Sequence, residues 1–105
     1  MFIAIVQIPM AKRPKQAAVD AAAKSAPTYT ALGAKGLLKK YYLNGEAGGG
    51  GVYFWESEAA ARAWYTLEWE KRMEAAFGAP PKVTYYDNHV IVDNEAGKVR
   101  IEGEN

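Results

Sequence analysis

The chain has 105 residues, half of them hydrophobic, a formal net charge of +1 and no cysteine. One domain of this length buries roughly two-thirds of its unfolded surface, so a single core suffices without covalent staples. The missing thiol excludes disulfides, thiolate metal sites and cysteine catalysis and fits a cytoplasmic protein, while the near-neutral charge argues against nucleic acid as a partner.

Residues 2–8 form a short apolar run rich in β-branched side chains and closed by Pro9, the pattern of a buried strand. This start lacks a basic leader, with Lys12 and Arg13 on the wrong side for a signal peptide, and no apolar run nears the ~20 residues of a membrane helix. No membrane association is expected. Pro14 suits the first turn of a helix whose Ala-rich body follows; Pro27 interrupts it, and residues 28–32 continue as a kinked last turn that Gly33 ends. Residues 37–43 read as a second strand, Asn44-Gly45 as a turn, and residues 46–51 as the rest of a long, loose hairpin into a strand at 52–56. Ser57 is the expected N-cap of a helix over 58–65, and Thr66 recaps a second segment that Gly78 closes after Phe77. Residues 82–92 read as one long strand, Asn94 to Gly97 as a turn, and residues 98–102 as a short fifth strand.

The order β-α-β-β-α-β predicts an α+β, ferredoxin-like fold: a four-stranded antiparallel sheet with both helices on one face. Residues 1–94 are assigned to this domain and residues 95–105 to a C-terminal extension with a short strand and tail. Both parities of the first and last strands are apolar: Phe2, Val6 and Ile8 against Ile3 and Ile5, and Tyr85 and Ile91 against Tyr86, Val90 and Val92. A sheet apolar on both faces but covered on one buries the other against a partner, and a homodimer is the economical solution.

Three tryptophans, Trp55, Trp64 and Trp69, crowd the joint between the third strand and the broken helix. Two helix segments that change direction leave a gap, and aromatic rings around it would wall a small-molecule site. The competing reading is plain packing: Trp69, Met73, Ala76 and Phe77 recur at helical spacing as a core stripe. The glycines at 48–51 open a strand rather than a helix and lack a following Lys-Ser/Thr, so they are read as a hairpin or bulge and not a phosphate loop. They also stand where an RNA-binding sheet of this topology carries its stacking aromatics. His89 is the single histidine, with Asp87 two residues before it on the same strand face. It is either a hydrogen-bonded structural residue or a proton shuttle. One histidine with scattered carboxylates is no metal site, and no metal is expected.

Gly36-Leu37-Leu38-x-Lys40, Gly48-Gly-x-Gly-Val-Tyr53-x-Trp-Glu56, Ala-x-Ala-Trp-Tyr65-Thr-x-Glu68-Trp, Phe77-Gly-x-Pro80 and Val90-x-Val-Asp-Asn94 together resemble the YdhR-like monooxygenase family of the dimeric α/β-barrel superfamily. The resemblance runs from about Phe2 to Asn94, with Leu67 standing where many relatives carry proline. It implies a homodimer whose two sheets close into a barrel, with a pocket between sheet and helices in each protomer. It further implies a monooxygenase that needs no cofactor and acts on a small aromatic or polyketide-like substrate. Tyr53, Trp64, Trp69 and Tyr65 would then hold a planar ring, and His89 or Tyr65 would assist proton removal. A non-catalytic protein holding a hydrophobic ligand, or an isomerase or cyclase, would use the same pocket.

Overall fold

The computed structural model of the chain describes residues 1–102; the end of the expected C-terminal extension, 103–105, lies outside the described residues. The elements are β1 (Phe2–Ile8), α1 (Lys15–Ala31), a 3-10 turn (Leu32–Lys35), β2 (Leu37–Gly45), β3 (Gly48–Trp55), α2 (Glu58–Trp64), α3 (Leu67–Phe77), β4 (Lys82–Asp87), β5 (Val90–Asp93) and β6 (Lys98–Ile101). The first four strands make an antiparallel sheet in the order β2-β3-β1-β4. The fold is therefore α+β, with the strand order of a ferredoxin-like arrangement. Among the described residues no helix is long and apolar enough to cross a membrane.

Burial along β1 alternates, with Phe2, Ala4, Val6 and Ile8 inside. Their partners across β3 and β4 share that face: Trp55 and Asp87 beside Phe2, Tyr53 and Tyr85 beside Ala4, Gly51 and Val83 beside Val6. The helices cover this face, and Ala61, Tyr65 and Trp69 join its core. The opposite face carries Ile3 and Ile5 of β1, Val52 and Phe54 of β3, Tyr41 of β2 and Tyr86 of β4. Among the described residues, none of these side chains is fully buried. Tyr41 and Tyr86 are about half exposed, 54% and 50%.

The caps follow the sequence. Ser57 accepts from the Ala60 amide and Thr66 from the Trp69 amide, each at 3.1 Å, and Gly78 ends α3 in the left-handed region. Three expectations are corrected. First, α1 runs unbroken through Pro27, because a proline there forfeits one hydrogen bond while the turns on either side hold; Gly36 rather than Gly33 takes the left-handed conformation, at φ 102°.

Second, the glycines at 48–51 are not a loose loop but the first half of β3, joined to β2 by the two-residue turn Glu46-Ala47. Gly48 and Gly50 have φ of 127° and 136°, and a Cβ on either would lie 2.1 Å from the Ile8 carbonyl oxygen or 1.9 Å from that of Val6. Only glycine lets β1 approach there. Third, the long last strand is two. β4 leaves the main sheet after Asp87, Asn88 and His89 form the corner, and β5 pairs with β6 as a separate hairpin. One side of that hairpin, Val90, Val92, Val99 and Ile101, is exposed.

Candidate functional site

A cavity of about 520 Å³ opens between α1 and the covered face of the sheet, with α3 at its side. That size falls within the roughly 300–1,000 Å³ of small-molecule sites. Its existence follows from small residues on both walls. Ala18, Ala21 and Ala22 line it from α1, and no residue of that helix is buried. Gly49, whose strand position shares the covered face, lines it from the floor, where a Cβ would stand 2.9 Å from the Met10 sulfur.

Two hydrogen bonds hold one end of the cavity. The Arg13 amide donates to Asn44 Oδ1 and Asn44 Nδ2 donates to the Arg13 carbonyl, both at 2.9 Å, tying the segment before α1 to β2. Ser25 and Tyr42 join hydroxyls at 2.7 Å farther along the same helix. The α3 stripe expected to be solid core serves as the third wall: Trp69 is buried at its head, and Met73 and Phe77 face the space.

Of the sequence-predicted site residues, Tyr53 and Trp69 line the cavity, whereas Trp64, Tyr65 and His89 do not. The helix break is not an open gap because Tyr65 fills it. Tyr65 has φ −83° and ψ 69°, and the Thr66 amide donates to the Trp64 carbonyl at 2.9 Å, the geometry of an inverse γ-turn. The turn drives the Tyr65 ring into the core, edge-on to Tyr53, Trp55, Trp69 and Tyr85 at centroid distances of 5.0–5.9 Å. Its hydroxyl accepts from Trp55 Nε1 at 3.1 Å. Burial raises the phenol well above its ordinary range, so Tyr65 stays neutral and is a poor base.

Trp64 packs edge-on against Tyr29, centroids 6.3 Å apart, behind the cavity wall. The indole N–H groups of Trp64 and Trp69 are buried with no partner among the described residues. His89 lies at the β4–β5 corner with two-thirds of its side chain exposed (66%), pairing through Nδ1 with Glu102. That contact holds the Glu102 carboxyl below its usual range.

Lys40 is the cavity residue that residue-by-residue reading did not single out; it stood only within the family-like motif. It sits on β2 opposite Tyr53, on the covered face. Its Nζ lies 3.4 Å from the ring centroid of Tyr29, 3.9 Å from Tyr42 and 4.8 Å from Tyr53. The lysine stem fits into this cage because Gly51 has no side chain: a Cβ there would stand 3.0 Å from Lys40 Cε. Lys40 is in neither of the ion pairs formed among the described residues. Burial without a counterion lowers its ammonium pKa from the ordinary 10.5 to about 7. Lys40, Tyr29 and Tyr42 also border a second cleft of about 360 Å³. The readable signal was Lys40 and Tyr42 on one strand parity, opposite Tyr53 and Gly51 in the partner strand.

Burial likewise raises Tyr53 and Tyr29, so both rings present neutral hydroxyls. The site thus combines apolar and aromatic walls with one amine able to exchange a proton near neutral pH. No family model matches the chain, and no curated protein matches it in sequence. Among the described residues no group of three or more His, Cys, Asp or Glu is placed to hold a metal ion.

Proposed function

We propose that the cavity binds a small aromatic or polyketide-like compound and that the protein is a cofactor-independent monooxygenase acting on it. The observation that carries the reading is the cavity itself: about 520 Å³ of space kept open by alanines and glycine and walled by Tyr53, Trp69, Met73 and Phe77. Such walls favour a planar ring by dispersion and edge-to-face contact, and water exclusion strengthens any charge interaction inside. The family-like motifs support the reaction class. For an anthrone, the ring CH2 becomes a carbonyl; one atom of O2 enters the product and the other leaves as water. The protein's part is to orient the ring and take the first proton.

The working unit in this reading is a homodimer. The uncovered sheet face, with Ile3, Ile5, Tyr41, Val52, Phe54 and Tyr86, supports packing of two sheets face to face into a barrel. The apolar side of the β5–β6 hairpin supplies a further surface for the second copy.

Oxygen consumption with an anthrone tests the activity. Uptake that requires the folded protein, and that falls when the cavity is filled by Ala22→Phe, is expected. If the anthrone binds without oxygen uptake, the protein is a binding protein and the oxygenase reading is wrong.

A further inference from the structure

The charges around the cavity are of one sign. Arg13, Lys24 and Lys40 line it, and no aspartate or glutamate does. Arg13 lies over the Phe77 ring at 5.9 Å, at the α3 side, whereas Lys40 is enclosed by Tyr29 from α1, Tyr42 on its own strand and Tyr53 from β3. The remaining charged group acting on this cage is Arg72 of α3, which acts on the Tyr29 hydroxyl. Among the described residues, no carboxylate lines either cleft that Lys40 borders. A partly buried amine with no counterion among the described residues, set beside apolar and aromatic walls, lacks one component: an anion.

We propose that Lys40 is the catalytic residue that takes the ligand's hydroxyl proton and then holds the anion. The proposal rests on the cavity reading above and adds to it the group that ionises the ligand. In the step, the ligand's O–H bond breaks, its electron pair stays on oxygen, and the proton bonds to the lone pair of Lys40 Nζ. The products are a phenolate or enolate and an ammonium in contact. The ammonium gains from the faces of the three tyrosine rings, and the anion replaces the water that burial removed. The amine is neutral in a useful fraction at neutral pH, as a proton acceptor must be. Tyr53 and Tyr65 are held neutral by burial and do not compete for the role.

The test uses 4-nitrophenol, whose ionised form absorbs in the visible, titrated into the full-length protein between pH 4 and 9. Bound dye should ionise about 1–3 pH units below free dye, the size of shift an opposite charge at contact produces. Lys40→Met should abolish that shift while the dye still quenches tryptophan fluorescence, and Lys40→Arg, which keeps the charge, should retain it. Lys71→Gln, at an exposed lysine of α3 outside the cavity lining, serves as the control and should leave it in place. A bound dye whose ionisation midpoint is the same in Lys40→Met overturns the role of Lys40 and leaves the cavity reading standing. Failure of the dye to enter the wild-type cavity, judged by absorbance and fluorescence together, overturns both.

Discussion

Replacing Tyr65 with phenylalanine removes one oxygen atom from the centre of the core. That oxygen accepts the indole N–H of Trp55, a residue with no exposed surface, at 3.1 Å. The aromatic packing around the ring is unchanged by the substitution, so the loss is the hydrogen bond and the stranded donor. Leaving a buried donor unsatisfied costs about 1–3 kcal/mol. In a domain of this size each kcal/mol lowers Tm by about 4–8 °C. Urea unfolding followed by tryptophan fluorescence gives the free energy, and a cycle with Trp55→Phe isolates the pair, for which a coupling of about 1 kcal/mol is expected. Dye binding per folded molecule should stay unchanged, because Tyr65 stands behind the cavity. A Tyr65→Phe protein within about 0.3 kcal/mol of wild type, a difference below the usual worth of a hydrogen bond, would refute the assignment of Tyr65 to the core. So would a variant that is fully stable yet inactive.

Lys40 makes stability depend on pH. Between about 7 and its ordinary 10.5 the unfolded chain holds a proton that the folded chain releases, so the Lys40-dependent stability rises with pH through that window. Lys40→Met should therefore flatten this rise and be most stabilising relative to wild type below pH 7, by about 1–2 kcal/mol after allowance for solvent screening, as read from urea midpoints. The buried tyrosines act in the opposite sense: Tyr53 and Tyr65 are raised, so stability should fall above about pH 10, where the unfolded chain ionises first. Gly50→Ala should destabilise by at least 2 kcal/mol or prevent folding, roughly the scale of a strained backbone position, since its Cβ meets the Val6 carbonyl oxygen at 1.9 Å. Phe54→Glu on the uncovered sheet face should convert a dimer to a monomer in size-exclusion chromatography. His89→Ala should leave dye binding unchanged.

The sequence carried the strand and helix order and the caps because those depend on local chemistry. Ser57, Thr66 and Gly78 act within one turn of themselves, and the structure places each in its expected role. The glycines at 48–51 were harder. Their reason lies in β1, whose carbonyls approach β3, and a contact between distant segments leaves no periodic signature. The aromatic cluster was half legible. Spacing put Trp69, Met73 and Phe77 on one face of α3, but whether that face meets side chains or empty space depends on the alanines of α1 across the gap. For the same reason the helix break misled: a turn that exposes backbone in sequence terms buries Tyr65 once Trp55 offers its N–H. Lys40 was hidden because a lysine on an edge strand ordinarily faces water, and its cage is drawn from three elements.

The most direct measurement is a nitrogen-15 NMR titration of the full chain with 4-nitrophenol. Shifts concentrated at the Trp69 indole N–H and the Gly49 and Gly50 amides, with the Val92 and Val99 amides unmoved, would place the ligand between α1 and the sheet. Shifts centred instead on Phe54 and Tyr86, or around His89, would contradict that placement and with it the chemistry assigned to Lys40.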